Sequence, residues 1–188
     1  MNFLWRVVWV IPMNKVFIYI EGDHDKLFVN FVLSEYVRNN MGIDLHPIPY
    51  AQKPPKSINK SIRSKFKFEY LFLSDLDSRT HPCITSMKQE RFDKYDALDC
   101  SKIIIVKEEI ESWFLAGVDN SFDKFKGWEI PCQTDGIEKE DFDRIYKISF
   151  DSKNDCLKEI AKIYNFDLAI ERNSSFKYFL NKLSNLFN

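Results

Sequence analysis

The sequence contains few of the residues that characterise zinc-binding, secreted or low-complexity proteins. Among its 188 residues are 4 Cys, 3 His, 5 Gly and 7 Pro. The cysteines form no C-x-x-C pair and the histidines have no ligand spacing, which argues against a structural zinc site and favours reduced thiols. The apolar fraction of 45% excludes disorder and is sufficient for a full core. We predict a single domain over residues 1–188.

Long apolar runs are also lacking. No segment approaches the roughly 18 apolar residues of a membrane span, and the apolar start, residues 1–12, is interrupted by Arg6 and ends at Pro12. It has neither the charged n-region nor the cleavage site of a signal peptide. We therefore expect a cytoplasmic protein without membrane association. Residues 1–12 are either an extra edge strand or a misannotated start ahead of Met13.

Net charge is nearly absent as well, because 27 Lys and Arg oppose 28 Asp and Glu. This balance excludes a generally basic nucleic-acid binder. It leaves open a surface on which acidic and basic regions are separated.

Short apolar segments alternate with segments of helical periodicity, and this order defines the predicted fold. The β-branched and aromatic runs predict strands at 16–20, 44–49, 70–74 and 102–106, the second placed at an edge by its prolines. Helices are predicted at 25–38, 56–66, 89–98 and 108–117, with a loop at 78–86. The alternation predicts an α/β fold with a mostly parallel central sheet of about four strands, flanked by helices.

The remainder of the chain has a weaker pattern. Residues 118–150 read as an insertion or lid, with a helix near 138–146. Residues 151–188 predict a C-terminal helical extension, in which Ser174 and Ser175 are candidate caps of the last helix.

Acidic residues directly follow three of the predicted buried strands. Because the carboxyl ends of parallel strands meet at one edge of a sheet, these side chains are expected to converge. Carboxylates about 4 Å apart repel each other by roughly 4 kcal/mol at an effective dielectric constant near 20, so such a cluster needs protons or a cation. Oxygen ligands select Mg²⁺, with Mn²⁺ as a substitute. The acids are Glu21, Asp23, Asp25, Asp75, Asp77, Glu109 and Glu111.

The first of these motifs resemble a known domain. Glu21-Gly22 followed by Asp25, and the later Asp75-Leu76-Asp77, resemble the Toprim domain of topoisomerases, bacterial primases, OLD-type nucleases and small recombination and RNA-maturation enzymes. Residues 109–116 (EIESWFLA) resemble the E-I-E-x-W block of a small, poorly characterised Toprim-like family that is often associated with bacterial defence and mobile loci. That family also has an S-x-S-F-like element near its C-terminus, which residues 173–176 (NSSF) match.

The resemblance implies a Toprim-like Rossmannoid fold and a set of roles. Glu21 would be the general acid/base or a metal-linked catalytic acid, and Asp75 and Asp77 would bind Mg²⁺ at the reaction centre. Glu109 and Glu111 would complete the pocket, with a second ion as an alternative, and Asp25 is a further candidate ligand. The chain departs from the family pattern by having His24 where Thr or Ser is common, Asp25 where Glu is usual and Gly117 where Asp is expected.

A basic segment supplies the counterpart of the acids. Residues 53–67 contain no acid, and at about 100° per residue four of their cations fall on one helical face, well round from an apolar stripe of Ile58, Ile62 and Phe66. Such a face could follow a phosphate backbone, or it could be an ordinary solvated helix surface. The candidate nucleic-acid-binding residues are Lys56, Lys60, Arg63 and Lys67.

Together these features predict a Mg²⁺-dependent nuclease or phosphodiester-transfer enzyme acting on DNA or RNA, with a role in phage defence or a mobile element. A companion ATPase and a homodimer are further expectations. One alternative is a haloacid-dehalogenase-like phosphatase with Asp75 as nucleophile and Asp77 as general acid. Another is a catalytically silent module that binds nucleic acid or an ATPase. Trp113 and Phe114 are expected in the core rather than as base-stacking platforms.

Overall fold

A four-stranded parallel sheet forms the centre of the fold. The computed structural model describes residues 14–65, 67–76 and 83–187. The strands are β1 (Asn14–Ile20), β2 (Ile43–Pro49), β3 (Glu69–Asp75) and β4 (Ile103–Val106), in the spatial order β2-β1-β3-β4. All three pairings between them are parallel. The predicted α/β class is confirmed, whereas the expectation for residues 1–12 lies outside the described residues.

Helices connect the strands and extend the fold beyond them. The segment after β1 runs from α1 through a π-helical stretch, Phe28–Leu33, into α2. The bounds are α1 (Asp23–Leu27), α2 (Ser34–Met41), α3 (Pro55–Ser64), α4 (Ile84–Lys94), α5 (Ile110–Ala116), α6 (Lys139–Tyr146), α7 (Lys153–Ile163), α8 (Phe166–Arg172) and α9 (Ser174–Ser184). The predicted C-terminal helical extension is therefore present.

Both faces of the sheet are buried, which explains why its strands are continuously apolar. In β1, Val16, Ile18 and Ile20 enter the larger core cluster, and Phe17 and Tyr19 enter a second cluster on the opposite face. Helices α3 and α4 contribute to the second cluster, while α2 and α5 to α9 contribute to the larger one. Strands buried on both sides lose the alternation of polar and apolar residues that a half-exposed strand shows.

The edge position of β2 follows from its prolines. Pro47 and Pro49 lie opposite Ile18 and Ile20 of β1, and among the described residues β2 pairs with no strand other than β1. A proline lacks the N–H that a ladder requires, so an edge strand tolerates it where a central strand does not. The predicted edge position is confirmed.

Some predicted boundaries were wrong. Helix α4 spans Ile84–Lys94 instead of residues 89–98, so it takes over part of the expected loop. Helix α8 was missed, because its 7 residues bury only Ala169 and give no detectable periodicity. The cap of α9 is also different: the side chain of Asn173, not Ser174 or Ser175, accepts the Phe176 N–H at 2.9 Å.

The insertion at residues 118–150 packs against the rest of the fold. Helix α6 confirms the helix predicted near 138–146. Phe125, Trp128 and Phe142 are each at most 2% exposed and belong to the larger core cluster. A lid that opened would expose these aromatic side chains, so the packing favours an ordered insertion.

Gly117→Ala is expected to destabilise the fold by about 3 kcal/mol, because the added methyl overpacks a filled site. A Cβ at Gly117 would lie within 2.6 Å of the Tyr164 ring. That ring packs edge-to-face against Phe28 and Phe176, and its hydroxyl donates to the Trp113 carbonyl oxygen at 2.7 Å. Urea denaturation measures the loss.

Gly136→Ala is the matched control, since nothing lies within 4 Å of the position that its methyl group would occupy, and a near-neutral change is expected. Equal urea midpoints for the two variants would show that the Tyr164 ring moves to accommodate the methyl group without loss of stability.

Candidate functional site

The acids predicted at the strand ends converge on one pocket. Glu21 follows β1, Asp75 ends β3, and Glu109 follows β4 as the N-cap of α5. Because β1, β3 and β4 are consecutive in the sheet, their carboxyl ends lie side by side. The pocket has a volume of about 700 Å³, and its charged lining comprises Glu21, Asp23, His24, Asp25, Lys53, Asp75, Glu109, Glu111 and Lys139. The remaining predicted acid, Asp77, lies outside the described residues.

Glu21 is held in place by groups from three other elements of the chain. Its Oε1 accepts hydrogen bonds from the Tyr50 hydroxyl at 2.9 Å and the Ser74 hydroxyl at 3.0 Å. The Arg91 guanidinium donates to Ser74 Oγ at 2.8 Å and lies 3.7 Å from the same carboxylate oxygen. Burial, together with the charge of Glu21, raises the pKa of Tyr50 well above its usual range, so this hydroxyl keeps its proton. Among the described residues these contacts all go to Oε1, which leaves Oε2 available.

Asp25 and Asp75 are the most strongly perturbed acids in the pocket. Asp25 is 5% exposed, and its Oδ2 accepts the Gly22 N–H at 3.0 Å. Burial, reinforced by the charge of Glu21, raises the pKa of Asp25 to about 7. Burial and the neighbouring carboxylates, first among them Asp25, raise the pKa of Asp75 well above its usual range. Within the described part of the chain, the buried Oδ1 atoms of Asp25 and Asp75 have no hydrogen-bond partner.

Glu109 lies in a strained connection between β4 and α5. Its predecessor, Glu108, is the one non-glycine residue with positive φ, 57°, among those that the structure describes. Residues held in this region of backbone space cost about 1–3 kcal/mol and are frequent at functional sites. Partial burial and the charge of Glu111 raise the pKa of Glu109. The turn thus directs a third carboxyl group with a raised pKa into the pocket.

Glu111 differs from the other acids because it already has cationic partners. The side chain is 4% exposed, and its Oε1 lies 2.9 Å from His24 Nδ1 and 2.8 Å from Lys153 Nζ. Lys153 is also 3.0 Å from Asp143. Although burial alone would raise the pKa of Glu111, the contacts with His24 and Lys153 lower it to about 2. These partners fit a positioning role for Glu111 better than its predicted role as a metal ligand.

The pocket chemistry fits a hard divalent cation. Asp25 and Asp75 supply unpaired buried oxygens, and the acids nearby are carboxylates rather than thiols. Mg²⁺ prefers such oxygen ligands and usually retains several waters, so one or two carboxylates are enough to hold it. In the described ranges no group of three or more His, Cys, Asp or Glu side chains is arranged to hold a metal ion, so an ion bound here would take most of its ligands from water.

The basic face of α3 is separate from this pocket. Lys56, Lys60 and Arg63 line a groove of about 490 Å³ together with Asp96, which is 3.0 Å from Arg63. The prediction that Lys67 lies on the same helical face was wrong, because α3 ends at Ser64. The apolar stripe is present in buried Ile58 and Ile62, while Phe66 lies outside the described residues.

The NSSF element anchors the C-terminal helix beneath the site. Asn173 is fully buried; its Nδ2 donates to Ser112 Oγ at 3.3 Å and Thr134 Oγ1 at 3.0 Å. Its Oδ1 accepts from the Phe176 N–H and from the Ser175 hydroxyl at 2.8 Å. The Asn173 side chain therefore joins α5, the insertion and α9, so this element has a role in holding the fold together.

Asn173→Ala is expected to lower the free energy of unfolding by about 3 kcal/mol, because it removes a helix cap and leaves buried hydroxyls without partners. Thermal and urea denaturation of the full chain measure this loss. Asn165→Ala is the matched control: Asn165 caps α8 through the Leu168 N–H at 3.0 Å but is exposed, so a loss of only about 1 kcal/mol is expected. Similar losses for both variants would show that Asn173 contributes no more to stability than an ordinary helix cap.

Several residues that line the pocket or contact its acids had no signal in the sequence. Arg91 lies on α4, whose boundaries were mispredicted, and Lys153 opens α7, far from any acidic motif. Lys53 and Lys139 line the pocket beside the acids, whereas the sequence marks Lys53 only as the start of the basic segment. Trp113 and Phe114 are fully buried, as predicted.

Comparison with known proteins gives this chain no relatives. No protein-family model matches it, and neither a curated protein nor a solved structure does. In the part of the chain that the structure describes, no helix is both long and apolar enough to cross a membrane. Function is therefore inferred from the pocket itself.

Proposed function

We propose that the chain is a Mg²⁺-dependent nuclease or related phosphodiester-transfer enzyme of Toprim type, acting on DNA or RNA. The observation that carries this proposal is the pair of buried, unpaired carboxylate oxygens on Asp25 and Asp75, in the same pocket as Glu21. Carboxylate oxygens that are buried without a hydrogen-bond partner are costly unless a proton or a cation neutralises them. A divalent ion provides that neutralisation and gives the arrangement a chemical purpose.

The acids divide into metal ligands and a proton acceptor. Asp25 and Asp75 would hold the ion together with water, and Glu109 and Asp77 are further candidates from the sequence. When bound, the ion would polarise a phosphate oxygen and stabilise developing negative charge. Glu21 would accept the proton of the attacking water at Oε2, while Ser74 and its neighbours hold Oε1.

Cations near the acids would offset their repulsion of a polyanion. Lys53 and Lys139 line the pocket itself, and Lys56 and Lys60 lie on the exposed face of α3. We propose that these side chains bind the phosphate backbone, with Arg63 contributing less because it pairs with Asp96. A companion ATPase, self-association and a role in phage defence stay predictions.

The phosphatase alternative is the weaker interpretation of the same pocket. It requires Asp75 to act as a nucleophile, and a nucleophilic carboxyl group must be ionised. The raised pKa of Asp75 opposes ionisation whether this carboxyl group is a nucleophile or a metal ligand, so it does not separate the two interpretations. The phosphatase interpretation is weaker because it leaves Glu21 and its hydrogen bonds without a role.

A cleavage panel tests the proposed function. Purified full chain is incubated with supercoiled plasmid, single-stranded DNA and tRNA, each in Mg²⁺, in Mn²⁺ and in EDTA. The expected result is cleavage of at least one polymer that requires the ion. Turnover of an aryl phosphate monoester without polymer cleavage would favour the phosphatase, and ion-independent binding without cleavage would favour the silent module.

A further inference from the structure

His24 is fixed in the pocket by a buried carboxylate. It lies in α1, directly after the Glu21-Gly22 turn, and its side chain is 32% exposed. The ring Nδ1 is 2.9 Å from Glu111 Oε1, a contact between residues 87 positions apart in the chain. Since Nδ1 is engaged and the residue lines the pocket, Nε2 is the ring nitrogen available to a bound substrate.

The carboxylate that holds His24 is itself fixed. Glu111 is 3% exposed and lies on α5, and Lys153, with a side chain 14% exposed, holds it from α7 at 2.8 Å. The Lys153 ammonium also lies 5.2 Å from the centroid of the Phe142 ring. An anchored carboxylate fixes the orientation of an imidazole, as in hydrolases that use His to move protons.

We propose that His24 is the general acid that protonates the leaving oxygen of the phosphodiester, with Glu111 and Lys153 as positioning residues. This inference rests on the proposed function. As the water oxygen bonds to phosphorus, Glu21 takes the water proton; as the bond from phosphorus to the leaving oxygen breaks, His24 Nε2 gives its proton to that oxygen. Exchange with solvent then restores both groups. No oxidant or further reactant is needed.

Leaving-group dependence tests the assignment, because a good leaving group needs no proton. Two substrates are compared in Mg²⁺: the polymer that the wild-type chain cleaves, and bis(4-nitrophenyl) phosphate. His24→Ala is expected to lower kcat about 100- to 1000-fold on the polymer, the range for loss of a general acid, and by less than about 5-fold on the aryl diester. His24→Asn retains a hydrogen-bond donor toward Glu111 and is expected to show the same rates as His24→Ala. The same selective loss in both variants would distinguish a chemical defect from a folding defect.

The chain supplies a matched control in its second His–carboxylate pair. His46 Nε2 lies 2.8 Å from Asp44 Oδ2 on edge strand β2, outside the pocket, so His46→Ala should leave both rates unchanged. Glu111→Gln should reproduce the selective loss on the polymer to a smaller extent. Equal losses on both substrates for His24→Ala, or no loss on either, would overturn the general-acid role alone. A wild-type chain that cleaves neither substrate would overturn the proposed function as well.

Discussion

Asp75→Asn is expected to lower metal-dependent cleavage by on the order of a thousandfold, because a metal ion contributes several kcal/mol of transition-state stabilisation and each 1.4 kcal/mol is about tenfold in rate. Asparagine has nearly the same shape but cannot neutralise a cation. The fold should tolerate it, since burial and the neighbouring carboxylates raise the pKa of Asp75 and so make its charged form costly. Cleavage rate in saturating Mg²⁺, together with the urea midpoint, measures both effects.

The matched control for this variant is Asp93→Asn. Asp93 is exposed on α4 and accepts only a surface hydrogen bond from Gln89 at 2.8 Å among the described residues. Its rate should equal that of the wild type. If Asp75→Asn retained cleavage within about threefold of wild type while Asp93→Asn behaved normally, Asp75 would not be at the reaction centre.

Asp25→Asn is expected to stabilise the metal-free protein by on the order of 3 kcal/mol at pH 8 while weakening Mg²⁺ binding. Burial raises the pKa of Asp25 from 3.8 to about 7. Between these two values the folded chain holds a proton that the unfolded chain has lost, so the free energy of unfolding falls as the pH rises from about 4 to 7. Asparagine cannot ionise, so it removes this loss of stability. The loss is complete above about pH 7 and absent below about pH 4.

Urea denaturation in EDTA at pH 8 and pH 4 measures this difference. The stabilisation should be present at pH 8 and small at pH 4. Asp23→Asn serves as the control, because Asp23 occupies the same turn but is exposed, and its effect should be small at both pH values. Destabilisation by Asp25→Asn at pH 8 would mean that the ionised carboxylate is a structural group rather than a group held for a ligand.

The sequence was sufficient for the sheet because its strands carry a strong local signal. Runs such as Ile103–Val106 are apolar at every position, which at such short length is typical of strands buried on both faces. The edge strand was equally predictable, since Pro47 and Pro49 exclude a central position. Helices α4 and α8 were less predictable, because their bounds depend on packing against distant elements rather than on their own periodicity.

The site was predictable as far as topology determines it. Parallel strands bring Glu21, Asp75 and Glu109 to one edge whatever the details of packing. The partners of these acids depend on long-range contacts: the chain separates Glu111 from its partner His24 by 87 residues, and nothing in the local sequence links them. Lys67 was predicted on the basic helical face for a different reason. Helical periodicity does not show where a helix ends, and α3 ends at Ser64, before Lys67.

The pocket as a divalent-cation site is tested most directly by counting bound Mn²⁺ ions at pH 8 by electron paramagnetic resonance. The wild-type chain and the double variant Asp25→Asn, Asp75→Asn are titrated side by side. The wild type is predicted to bind at least one ion saturably, in competition with Mg²⁺, and the double variant to lose that binding while staying folded. Absence of saturable binding to the wild type, or equal binding to both proteins, would contradict the assignment.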